Sequence, residues 1–217
     1  MTHTLHRVGG KESLEKDILV YMVPSRGVNA KDSTPKIQRF LEIGDKYSPV
    51  NIGCLYPSSA SSAKPKGYLR GNTLEEMKRD VVDRTEVIIT YGDEKQVTNV
   101  FKDLKEDDLG ISVIVSGVFE QVFECCSKAD LVPHTVNIAL GIEGQTELLP
   151  PRKVLDIVTM CGHGLVSPHL VTDFVKKVKE GKMTSEEAGK RLGINCVCGA
   201  FNPERAAELI KEMAAED

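Results

Sequence analysis

Three cysteines in the last third of the chain have the type and spacing to do chemistry. Cys161 lies in Met160-Cys161-Gly162-His163-Gly164, and Cys196 and Cys198 form a close pair in Cys196-Val197-Cys198-Gly199. Each loop runs into a helix-start signal, Ser167-Pro168 after the first and Asn202-Pro203 after the second, where a polar N-cap precedes a first-turn proline. A thiolate near a helix start is favoured by the positive end of the helix dipole and by unpaired backbone N–H groups. Both loops therefore suit deprotonated sulfur, which metals and electrophiles require.

Three kinds of site follow. In the first, Cys161, Cys196 and Cys198 hold an iron–sulfur cluster of the 4Fe-4S type. Three thiolates leave one iron open to substrate, although C-x-C is tighter than the usual C-x-x-C spacing. In the second, His163 joins them as a fourth ligand and closes a Cys₃His zinc tetrahedron. In the third, Cys161 is a metal-free catalytic thiol with His163 as its acid–base partner. The run Met160-Cys161-Gly162-His163-Gly164 resembles the active-site cysteine loop of proline-racemase-like epimerases. That resemblance implies a local cradle in which glycine N–H groups at a helix start hold a carboxylate; no second half with an opposing cysteine is visible in this chain.

In each case a small anionic molecule suits Gly162, Gly164, Ser167 and Asn202 beside the two helix starts. The expected function is a metal-binding protein, with an iron–sulfur cluster ahead of zinc, acting as an enzyme on a small anionic metabolite. A regulatory or interaction module that binds a small ligand and has purely structural cysteines is the competing class.

Bulk composition narrows the partners. With 28 basic against 32 acidic residues, a net charge of −4 and no Trp, the chain has neither the positive field nor the stacking surface of a nucleic-acid binder. No apolar run reaches the ~20 residues needed to span a bilayer, and Met1 to Lys16 lacks the apolar centre of a signal peptide. These features point to the cytoplasm, where six cysteines are read as buried residues, ligands or reactive thiols rather than disulfides. Assembly into a homo-oligomer is left open.

The elements that must position these loops are read as follows. Residues 1–16 form a loosely attached leader, 17–150 an α/β core, and 151–217 a C-terminal cysteine-loop and helical segment packed on it. Asp17 to Pro24 and Pro49 to Tyr56 read as buried strands, with a helix capped by Ser33 or Thr34 between them. Cys54 reads as a small buried hydrophobe, and 57–72, rich in Ser, Pro, Lys and Gly, as a long loop. Thr73 with Glu76 forms a capping box. From there the pattern alternates: strand Glu86 to Tyr91, helix Asp93 to Leu104, strand Ile111 to Val115, helix Val118 to Lys128 carrying Cys125 and Cys126, and strand Thr135 to Leu140. This rhythm predicts an α/β sheet core, ferredoxin-like or doubly wound, with a helical C-terminal portion. Lys153 to Met160 reads as one more strand. Helices capped at Ser167, Thr184 and Asn202 then bracket the cysteine pair.

Overall fold

The structure, a computed structural model, describes residues 7–57, 64–138 and 140–216. After a single helical turn, α1 (Lys11–Leu14), the central strand β1 (Ile18–Val23) is a continuous apolar run. A strand's side chains alternate across the sheet, so Ile18, Val20 and Met22 enter one core while Leu19 and Tyr21 enter another. Such runs belong to strands covered on both faces.

The helix α2 (Thr34–Asp45) follows, with Pro35 in its first turn, and leads to β2 (Asn51–Leu55). The expected long loop includes 58–63, outside the described residues; after it come β3 (Lys66–Gly67) and a 3-10 turn at Tyr68–Arg70. The helix α3 (Leu74–Asp80) begins with the capping box: Thr73 accepts from the Glu76 N–H, and Glu76 accepts from the Thr73 N–H. Then come β4 (Glu86–Tyr91), α4 (Glu94–Asp107), β5 (Ser112–Ser116) and α5 (Phe119–Lys128).

The sheet order is β3-β2-β4-β1-β5, with every pairing antiparallel. Without the short β3 this is the split β-α-β arrangement of ferredoxin-like folds. The doubly wound alternative is excluded, because it requires parallel neighbours.

Two expected strands are absent among the described residues. Arg152 to Val158 is a helix, α6. Its Val154 and Ile157, and Met160 just past its end, are buried at three-residue spacing, and Arg152 and Asp156 pair one turn apart. A short run rich in Val and Ile imitates a strand, and only the three-residue interval reveals the helix. The described part of Thr135–Leu140 is exposed and irregular, since alternation yields a strand only where an edge accepts it.

Three helices complete the chain: α7 (Pro168–Lys179), α8 (Ser185–Gly193) and α9 (Pro203–Ala215). One face of the sheet is covered by α2 to α5, and α6 to α9 cover the other together with the cysteine loops. The fold is thus an α/β sheet with a helical C-terminal portion on its second face. Among the described residues no helix is long and apolar enough to cross a membrane.

From Arg7 onward the expected loose leader is fastened to this second layer. Arg7 pairs with buried Asp17 and donates to the Ala200 carbonyl, while Arg205 donates to Asp17 at 2.9 Å, to Ser13 at 2.8 Å and to the Val8 carbonyl at 2.9 Å. A buried guanidinium is tolerated only with such partners.

Candidate functional site

The second face brings the three distant cysteines together. Cys161, Cys196 and Cys198 are all buried in one cluster with Tyr21, Ile88 and Phe201. The Cys196 and Cys198 sulfurs are 3.6 Å apart, and Cys161 is hydrogen-bonded to Cys196. Cys196 is therefore the middle member of a row of three sulfurs.

The backbone N–H two places ahead of each sulfur favours its thiolate: His163 for Cys161, Cys198 for Cys196, and Ala200 for Cys198. Leu165 adds a second N–H to Cys161. Donors aimed at sulfur stabilise the thiolate over the thiol. Along the row, Cys161 donates to Cys196, and this bond together with burial holds its proton far above the ordinary thiol range. Cys196 is lowered by accepting that bond, but donating to Cys198 and burial outweigh it and leave the group at about 11. Cys198 is lowered, first by the Cys196 bond, with the Ala200 N–H and the Arg7 charge acting against burial. Negative charge therefore collects on Cys198.

The pair is held by the sheet rather than by its own loop. Cys198-Gly199 lies directly on β2 at Gly53, where an added Cβ would stand 2.5 Å from the Cys198 carbonyl oxygen and from the Gly199 backbone. Gly199 adopts φ +80°, and its own missing Cβ faces the backbone of Gly53. Asn51 donates to the carbonyls of Gly199 at 2.9 Å and Phe201 at 3.1 Å, and Thr90 donates to Gly199 at 3.1 Å. Gly53, Asn51 and Thr90 escaped the sequence reading. A glycine inside an apolar strand is the signal that could have found the first; Asn51 and Thr90 become meaningful only once β2 and β4 are paired.

The other expected site residues are placed differently. Gly162, His163 and Gly164 lie in the exposed stretch after Cys161, and Ser167 is exposed at the start of α7 without a side-chain cap bond. Asn202 is buried and committed: its Oδ1 accepts from the Arg205 N–H at 2.9 Å, while Nδ2 donates to the Lys16 carbonyl at 2.9 Å and to Asp17 at 3.2 Å. This cap ties α9 to the beginning of β1 and leaves the buried amide no N–H free for an anion.

No family model, curated protein or solved structure matches this chain. The site must be read from its own geometry.

Among the described residues no group of three or more His, Cys, Asp or Glu is arranged so that it could hold a metal ion as it stands. The three thiols form a hydrogen-bonded row, so enclosing a metal would require loss of their protons and a turn of at least one side chain. Cavities of about 310 Å³ by Asn29 and Gly110 and about 270 Å³ by Lys95 and Lys128 both lie away from the cysteines.

Proposed function

We propose that this chain is a metal-binding protein whose centre is held by the thiolates of Cys161, Cys196 and Cys198. The observation that carries the reading is the meeting of three buried sulfurs from two loops: Cys196 and Cys198 lie 3.6 Å apart, Cys161 joins them in the same buried cluster, and at each the backbone N–H two places on favours the thiolate. Ordinary packing cysteines need no such donors, whereas ligand sulfurs are oriented and tuned by them.

The 3.6 Å separation of Cys196 and Cys198 is close to the ~3.8 Å edge that two thiolates span around one tetrahedral ion with bonds of about 2.3 Å. A single zinc-like ion would bring Cys161 in beside them. A 4Fe-4S cluster would instead spread the sulfurs onto separate irons and leave one iron open. The exposed stretch from Gly162 to Leu165 is where either centre would meet solvent. We assign His163, Gly162, Gly164 and Ser167 to that rim, with a small anion as the molecule acted upon and His163 as its acid–base group. Six free thiols support placing the protein in the reducing cytoplasm.

A metal-free role for Cys161 as a proton-transfer thiol has less support. Cys161 is 2% exposed and holds its proton firmly through Cys196.

The test is metal and acid-labile sulfide content, with an absorption spectrum, on protein purified without oxygen. Iron with sulfide supports the cluster form and zinc alone the single-ion form. Folded, reduced protein that takes up neither on reconstitution overturns the reading.

A further inference from the structure

We propose that residues 131–149 form an exchange arm that lies along the β5 edge of a second copy of this chain and joins two copies in a twofold dimer. The proposal does not rest on the metal reading. Pro133 to Leu149 is exposed throughout its described length, and the arm's backbone bonds among the described residues are short-range ones, such as Leu131 to Cys126 and Leu148 to Gln145.

Such a segment ought to be polar, but Val132 is 90% exposed, Ile138 65%, Leu140 88% and Leu148 75%. Val136, Ile138, Leu140 and Ile142 fall on alternate positions, which share one face when the chain is extended. With Val132 and Leu148 they put six exposed large aliphatic side chains on one short segment. Apolar side chains grouped in this way mark interaction surfaces.

The complement is present in the same chain and is not used by its own arm. The strand β5 ends the sheet, with Ile114 exposed on the second face opposite Tyr21, and on the first face Phe119 and Phe123 of α5 stack 5.8 Å apart while staying exposed. A strand added at that edge would gain main-chain hydrogen bonds and lay its row of apolar side chains on the side of Ile114, with its other face turned toward α5. Charge agrees as well. From 131 to 151 the chain has Glu143 and Glu147 but no Lys or Arg, whereas Lys95 and Lys102 line a cleft of about 270 Å³ bordered by α4 and α5, beside Lys128, which pairs with Glu94 and Glu124. Because arm and edge belong to one sequence, two copies satisfy each other reciprocally.

The experiment is sedimentation equilibrium of the full chain across concentration, with hydrogen exchange read over 135–142. The expected result is a species of twice the 23.8 kDa chain mass, with the arm protected in the dimer and unprotected on dilution. Ile138→Asp with Leu140→Asp, and separately Ile114→Asp, should each raise the dimer dissociation constant at least ~10-fold without changing the circular dichroism or melting temperature of the monomer. A wild-type chain that stays monomeric, an arm protected in the monomer, or a dimer that survives both sets of variants would each overturn the proposal.

Discussion

Each face of the sheet carries three of the six cysteines, and the two sets differ in what surrounds the sulfurs. On the first face Cys54 and Cys125 are sealed among aliphatic side chains and Cys126 is packed at the margin; burial is the leading influence on all three and raises each. On the second face Cys161, Cys196 and Cys198 are as deeply buried, yet backbone donors meet every sulfur and charge is drawn toward Cys198. Burial alone therefore does not decide what a cysteine does. The first set is kept neutral throughout, whereas in the second Cys161 and Cys196 hold their protons and only Cys198 is lowered.

The contrast can be broken most severely at the sulfurs themselves. Replacing Cys161, Cys196 or Cys198 by Ala should abolish metal uptake. Replacing Cys54 should leave the content unchanged and cost about 1–2 kcal/mol in denaturant unfolding for the lost core volume.

A matched pair of glycines gives the next largest difference. Gly53→Ala drives a methyl into the backbone of Cys198 and Gly199, neither of which can move aside, and should cost about 3 kcal/mol or more together with metal affinity. Gly44→Ala, in α2 on the first face, meets the Ile89 side chain and, at 3.3 Å, the Tyr91 hydroxyl that donates to the Gly44 carbonyl, but no backbone. About 1 kcal/mol of helix propensity offsets part of the crowding, so it should cost clearly less than Gly53→Ala, as unfolding of the two variants side by side will show.

Smaller effects belong to the clamps. Asn51→Leu strands the Phe201 carbonyl and leaves the Gly199 carbonyl only its bond from Thr90, and should cost about 2–3 kcal/mol, whereas Thr90→Val removes one bond to Gly199 and should cost about 1 kcal/mol. Metal content should fall with both and stay unchanged in first-face variants of equal stability.

The smallest effect is one of pH. Cys54 is pushed up to about 12 by burial, against about 8.5 for a thiol in an unfolded chain. Its folded value is the higher, so its contribution to stability is whole below about pH 8.5 and is lost as pH rises from there toward 12. Iodoacetamide should accordingly leave Cys54 unmodified in the folded protein at pH 8 and label it on unfolding.

Much of the molecule could be read before it was seen. The strand Glu86–Tyr91, the Thr73–Glu76 box and the helix starts at Ser167, Thr184 and Asn202 are local signals, and each appears where the residues put it. The meeting of Cys161 with Cys196 and Cys198 was legible because two loops of the same design flank one pair of helices. Asn202 reads as a ligand residue from its helix start alone; its commitment to Lys16 and Asp17 depends on a contact 185 residues away in sequence. The antiparallel order was not legible, because alternation of strands and helices is shared by both sheet types. Nor was the role of Arg7, whose partners Asp17 and Ala200 come together only when both ends of the chain are in place.

The most direct test is anaerobic reconstitution of two triple variants with iron and sulfide and, separately, with zinc. One lacks Cys54, Cys125 and Cys126; the other lacks Cys161, Cys196 and Cys198. The account predicts one bound centre per chain in the first and none in the second. Equal uptake by both, or uptake by neither the first variant nor the wild type, would contradict it.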